Sequence, residues 1–162
     1  MFLFFISKWE NYYSWSTMIN VQKLKDIRED KDLTQTDIAN ILSVPRSTYS
    51  MWEIGICIIP LDKLCFLADY YNVSIDYALG LTNNSNSKHI IKEFQIDTLA
   101  QNLKKYREKA NLTQENIASI LKVTQSCVLK YEKVMVCIPI ENLYKLCKEY
   151  NVTLSKMCGK EK

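Results

Sequence analysis

Glycine and proline are scarce in this chain, with three of each in 162 residues. Sandwiches and barrels need frequent tight turns, so this scarcity argues against an all-β protein and for a helix-rich one. Histidine is scarcer still: His89 stands alone, which excludes a metal site built on several histidines. Cysteine is present as Cys57, Cys65, Cys127, Cys137, Cys147 and Cys158, yet no two form a C-x-x-C pair. Zinc-ribbon and thioredoxin-like readings fall with that pair. With no secretory signal in evidence, the thiols are read as reduced, small apolar filler in a cytoplasmic protein. No Gly-rich phosphate loop is present, and no nucleophile, base and orienter suggest themselves, so neither an enzyme nor a cofactor or metal is expected. The longest apolar opening, Met1 to Ile6, falls far short of the roughly 20 residues a bilayer demands, and no membrane role is expected. It lacks a basic stretch before it and a small-residue cleavage site after it.

What the chain does have is a globular balance, 48% hydrophobic and 24% charged residues. Its net charge is +3 and its pI about 8.4, a mildly basic balance that permits a nucleic-acid partner. Residues 1–17 are apolar and aromatic without a helical or strand period and read as a poorly ordered N-terminal extension. A domain start is expected at Met18.

The strongest organising signal is an internal repeat. Displaced by 79 residues, the sequence overlays itself without a gap, with more than a third of positions 24–80 identical to their partners. Leu33-Thr-Gln-Thr-Asp-Ile-Ala-Asn-Ile-Leu-Ser-Val44 matches Leu112-Thr-Gln-Glu-Asn-Ile-Ala-Ser-Ile-Leu-Lys-Val123, and Glu53, Pro60 and Gly80 match Glu132, Pro139 and Gly159. The expected domains are residues 18–82 and 96–162, joined by a polar linker over 83–95.

Each repeat carries regular helix signals. Asn20 and Asp97 are read as caps of the first helices, and Ser74 and Thr153 as caps of short fifth ones. Thr34 and Thr113 suit the starts of the second helices. Asp37 and Asn116 stand where Glu or Gln would complete a capping box, which predicts partial boxes. Ile38, Ile41 and Leu42, repeated as Ile117, Ile120 and Leu121, form an apolar stripe that must face a core. The fold class expected is all-α.

Counting Gln35 as the first position of an eighteen-residue segment, the inner positions hold Ile38, Leu42, Val44, Tyr49 and Trp52; the second copy holds Ile117, Leu121, Val123, Val128 and Tyr131. Ala39 and Ala118 fall where two steeply crossing helices need a small residue. This is a helix-turn-helix pattern, present twice at matched spacing. It resembles the Xre/Cro-like, phage-repressor type of helix-turn-helix protein over about residues 20–82 and 97–159. The resemblance implies two five-helix domains whose third helices enter the major groove of double-stranded DNA, with a homodimer or an intramolecular pseudo-dimer reading two half-sites.

Solvent-facing residues near the start of such a helix meet base edges. These are Arg46, Ser47, Ser50 and Met51 in the first copy and Gln125, Ser126, Leu129 and Lys130 in the second. Arg46 suits a bidentate pair with guanine and Gln125 one with adenine. The resemblance places Gln35 and Gln114 against phosphate, and Lys133 joins them as the cation of the second loop. Two departures from the family pattern stand out. Ser43 and Lys122 occupy the tight turn that usually holds Gly. The loops after the recognition helices are apolar, Ile54-Gly-Ile-Cys-Ile-Ile59 and Val134-Met-Val-Cys-Ile138, and the second has lost its Gly.

Such loops open a second reading: a protein partner, antitoxin-like or adaptor-like, docking on apolar loops 54–59 and 134–138. Charge is unequal as well. Residues 20–82 carry 6 Lys and Arg against 9 Asp and Glu, whereas residues 88–162 carry 14 against 8. The leading expectation remains a sequence-specific DNA-binding transcriptional regulator.

Overall fold

The computed structural model describes residues 22–85 and 93–161. The N-terminal extension, Asn20, His89 and part of the linker lie outside them. The described residues form two successive sets of five helices. The first set is α1 (Gln22–Glu29), α2 (Gln35–Ile41), α3 (Arg46–Glu53), α4 (Leu61–Tyr71) and α5 (Ile75–Ala78). The second is α6 (Ile96–Lys109), α7 (Gln114–Leu121), α8 (Gln125–Glu132), α9 (Ile140–Glu149) and α10 (Leu154–Met157). The all-α expectation holds. Among the described residues no helix is long and apolar enough to cross a membrane.

The start of α2 is closed by a reciprocal bond pair. Thr34 Oγ1 accepts from the Asp37 N–H at 3.2 Å, and Asp37 Oδ2 accepts from the Thr34 N–H at 2.7 Å. Thr113 and Asn116 do the same for α7, at 3.1 and 2.8 Å. The boxes are therefore complete rather than partial: Asp and Asn, though shorter than Glu and Gln, reach the cap amide. The Thr34 hydroxyl and N–H hold the Asp37 carboxyl below its ordinary range. Thr153 caps α10, accepting from the Lys156 N–H at 3.0 Å. Asp97 is not the cap of α6. Gln95 takes that place without a side-chain bond, and Asp97 lies in the first turn, where its charge still favours the helix dipole.

Two compact units form, one of residues up to 59 with 76–85, the other of 60–75 with residues from 86 onward. The division does not follow the sequence repeat, because α4 is grouped with the second set of helices. In the first unit Leu24, Ile27, Ile38, Leu42, Tyr49 and Trp52 are buried. Tyr49 meets Trp52 edge-on, with ring centroids 6.4 Å apart. In the second, Leu99, Leu103, Ile117, Leu121, Val128, Leu143, Leu146 and Leu154 are buried. There the α4 residue Asp69 accepts from the buried Lys160 ammonium, and the Ile75 N–H donates to Ser155 Oγ at 3.1 Å.

Candidate nucleic-acid interface

In each copy a short helix is followed, after a turn of three or four residues, by the expected recognition helix. The turn residue has a left-handed backbone, φ 55° at Ser43 and 56° at Lys122. A side chain there costs about 1 kcal/mol relative to Gly. Val44 and Val123 then send their N–H groups back to the carbonyls of Ala39 and Ala118, both at 2.9 Å, which closes each turn.

Burial fixes how α3 and α8 are rotated. On α3, Tyr49 and Trp52 face inward at 0% and 7% exposure. Arg46 and Ser47 are exposed, and Ser50 and Met51 are half-buried beside them. On α8, Val128 is buried while Gln125, Ser126, Leu129 and Lys130 are exposed. The expected outward sets are thus brought together on one side of each helix. Tyr131, expected inward, is only half-buried. Beside it lies a small cavity of about 10 Å³, lined by Leu103, Ile117, Val128, Tyr131, Leu146 and Tyr150 among others. Burial beside this cavity pushes the Tyr150 hydroxyl up to about 12.

Behind each of α3 and α8 sits a polar core that the residue pattern alone did not identify. Arg28 Nε donates to Glu53 Oε1 at 2.7 Å, and Arg28 Nη2 to Glu53 Oε2 at 3.2 Å. Arg28 Nη1 donates to the Leu33 carbonyl at 2.6 Å. Gln35 Nε2 donates to Glu53 Oε2 at 3.0 Å, and Gln35 Oε1 accepts from Arg46 Nη2 at 3.3 Å. The second copy repeats the core: Arg107 Nε and Nη2 donate to Glu132 at 2.5 and 3.0 Å, and Gln114 Nε2 does so at 2.9 Å. Burial pushes the Glu53 and Glu132 carboxyls up, but the bonds from arginine and glutamine outweigh it and hold both below their ordinary range. Glu53 raises the Arg28 pKa in return. One signal for this core was open in the sequence: Arg28, Gln35 and Glu53 are polar positions identical in both repeats.

These bonds define what Gln35 and Gln114 present outward. One N–H of each carboxamide is bonded to a glutamate, which leaves the second N–H to point elsewhere, and in the first copy the amide oxygen accepts from Arg46. The loops that follow are open to solvent, with Ile54 at 60%, Ile56 at 59%, Met135 at 66% and Val136 at 50% exposure. Lys133 is exposed at the end of α8. Among the described residues no three His, Cys, Asp or Glu side chains are gathered so as to hold a metal ion.

Comparison with known proteins agrees with this geometry. The helix-turn-helix family model matches residues 24–77 and 103–157. A relative from Bacillus subtilis (strain 168), the uncharacterized HTH-type transcriptional regulator YobD, is 34% identical over 91 residues, which cover 56% of this chain and 73% of that protein. No solved structure matches. With both copies matched and both turns built, the chain belongs to the Xre/Cro-like helix-turn-helix family, as two such domains in tandem.

Proposed function

We propose that this protein is a sequence-specific DNA-binding transcriptional regulator acting in the cytoplasm, with α3 and α8 as its recognition helices. The observation that carries the reading is the rotation of those helices. Tyr49, Trp52 and Val128 are seated on the core, and Arg46, Gln125 and Lys130 are left open to solvent at the outer face. An α-helix fits the major groove, where a guanidinium reads guanine and a carboxamide reads adenine. Ser47, Ser50 and Met51 accompany Arg46, and Ser126 and Leu129 accompany Gln125, as base-contact positions. The starts of α2 and α7, where Gln35 and Gln114 sit, face phosphate together with Lys133. The domains 18–82 and 96–162 are the DNA-reading units, and a homodimer or a pseudo-dimer within one chain would place two recognition helices on one operator.

Selection of bound duplexes from a random-sequence pool tests this. The expected result is an enriched site whose binding weakens steeply as salt rises. Binding without enrichment, or no binding, overturns it.

The exposed Ile54, Ile56, Met135 and Val136 favour a second reading, a protein partner docking on these loops. Replacing Ile56 and Val136 by Ser separates the two. Under the DNA reading, duplex affinity changes less than twofold, whereas a partner-docking module would bind no selected duplex in the first place.

A further inference from the structure

The two recognition faces are built alike but charged differently. In the second copy, Lys122 holds the tight turn, Lys130 lies on α8, and Lys133 ends it. The corresponding residues of the first copy are Ser43, Met51 and Ile54. Three cations of the second copy thus stand where the first has a hydroxyl, a thioether and a 60%-exposed isoleucine. All three lysines are exposed, and among the described residues none is held by a carboxylate.

The first copy has what the second lacks: a guanidinium at the base-reading position, aimed in advance. Arg46 is bonded to Gln35, Gln35 to Glu53, and Glu53 to the buried Arg28. In the second copy the same chain runs from Arg107 through Glu132 to Gln114. There Gln125 follows in place of the arginine.

Resting on the DNA-binding reading above, we infer that the repeats divide the work of binding unequally: Lys122, Lys130 and Lys133 of the second grip the phosphate backbone on any sequence, Lys130 thus meeting phosphate rather than a base edge, and Arg46 of the first supplies most of the choice of sequence, to which Gln125 adds. A flexible lysine carries its charge to a phosphate without demanding a fixed geometry. A guanidinium held by a partner keeps the planar fork that reads guanine. The surrounding charge agrees, since the second copy lies in the stretch with 14 cations against 8 acids and the first in the stretch with 6 against 9.

The test uses the full chain in fluorescence anisotropy titrations over a range of salt, on a random duplex pool and on the duplex best enriched from it. One variant gives the second copy the residues of the first: Lys122→Ser, Lys130→Met and Lys133→Ile. It should bind the pool at least tenfold more weakly, and its slope of log affinity against log salt should be shallower by up to about 3, near 0.9 for each phosphate left without its lysine. Its residual preference for the enriched duplex should persist. The reciprocal variant, Ser43→Lys, Met51→Lys and Ile54→Lys, should steepen the slope and tighten pool binding. Arg46→Ala should change the slope by less than about 1 while removing most of the preference for the enriched duplex. The division of labour is overturned if the first variant keeps the wild-type slope, or if Arg46→Ala leaves the preference intact. Wild-type protein that binds neither duplex overturns the DNA reading itself, a result distinct from either. Melting curves by circular dichroism separate any variant that fails to fold, and Lys130→Gln with Lys133→Gln then carries the first arm.

Discussion

Arg28 and Glu53 are nearly sealed from water, with 7% and 1% of their side chains exposed. Removing one member of such a pair leaves the other charge buried without its counter-ion, and that costs about 3–5 kcal/mol. Glu53→Gln should therefore lower unfolding stability in urea by about 3 kcal/mol, and Arg28→Met with Glu53→Leu should recover much of the loss. Arg107 is more open, at 12% exposure, so Glu132→Gln should cost less than Glu53→Gln. The sign of the pH dependence follows from the lowered glutamate pKa values. A depressed folded-state carboxyl stabilises the fold above its ordinary value of 4.5 and loses that contribution as pH falls through the folded value. Stability followed by circular dichroism should hold from neutrality to about pH 5 and decline below it. Glu53→Gln should flatten the decline. Val134 presents a different residue-scale cost. Its φ is 61°, where the first copy has Gly55 at 73°. A β-branched side chain in that region is strained by about 1–3 kcal/mol. Val134→Gly, despite the entropy glycine loses on folding, should raise stability by about 1 kcal/mol in thermal melts.

At the scale of the element, what differs between the copies is how firmly the third helix, α3 or α8, is seated. On α3 both Tyr49 and Trp52 are buried against each other, whereas α8 offers the smaller Val128 and a half-buried Tyr131 beside a cavity. Trp52→Ala should cost about 3–5 kcal/mol, and Tyr131→Ala distinctly less, because less of its ring leaves water on folding. Val128→Ile adds one methylene toward the cavity and should be neutral or stabilising by up to about 1 kcal/mol, as the reverse exchange costs about that much in a filled core. Urea denaturation of each variant measures the ranking. The same elements show what a sequence discloses. The stripe of Ile38, Ile41 and Leu42, repeated as Ile117, Ile120 and Leu121, and the Thr starts of α2 and α7 are local signals that located the helices, although Ile41 is exposed and Ile120 half-buried rather than in the core. The rotation of α3 was legible because large apolar and short polar residues alternate on it. The reach of Asp37 and Asn116 to the cap amide depends on side-chain geometry that residue type alone does not supply. The Arg28 to Glu53 pair spans 25 positions, and no periodic pattern connects them. Only the retention of both residues in the second repeat pointed to a shared role.

For the whole molecule, the consequential fact is that α4 belongs to the first repeat in sequence and to the second unit in space. Composition does not reveal this, because the bonds responsible join residues far apart in the chain. Asp69 on α4 and Lys160 near the C-terminus are 91 positions apart, and Ile75 and Ser155 are 80 apart. The Lys160 side chain is only 1% exposed, while Asp69 is 18% exposed. The two partners should therefore respond unequally to mutation. Asp69→Asn removes the carboxylate that faces a sealed ammonium and should destabilise the fold by about 3 kcal/mol or more. Lys160→Met leaves a carboxylate that can turn toward water and keeps the buried aliphatic stem, so it should cost less. A chain ended after Gly159 should behave like the worse of the two, since it loses the stem as well as the charge. If Asp69→Asn melts at the wild-type temperature, the ion pair contributes nothing to the second unit, and α4 is held there by its apolar residues alone.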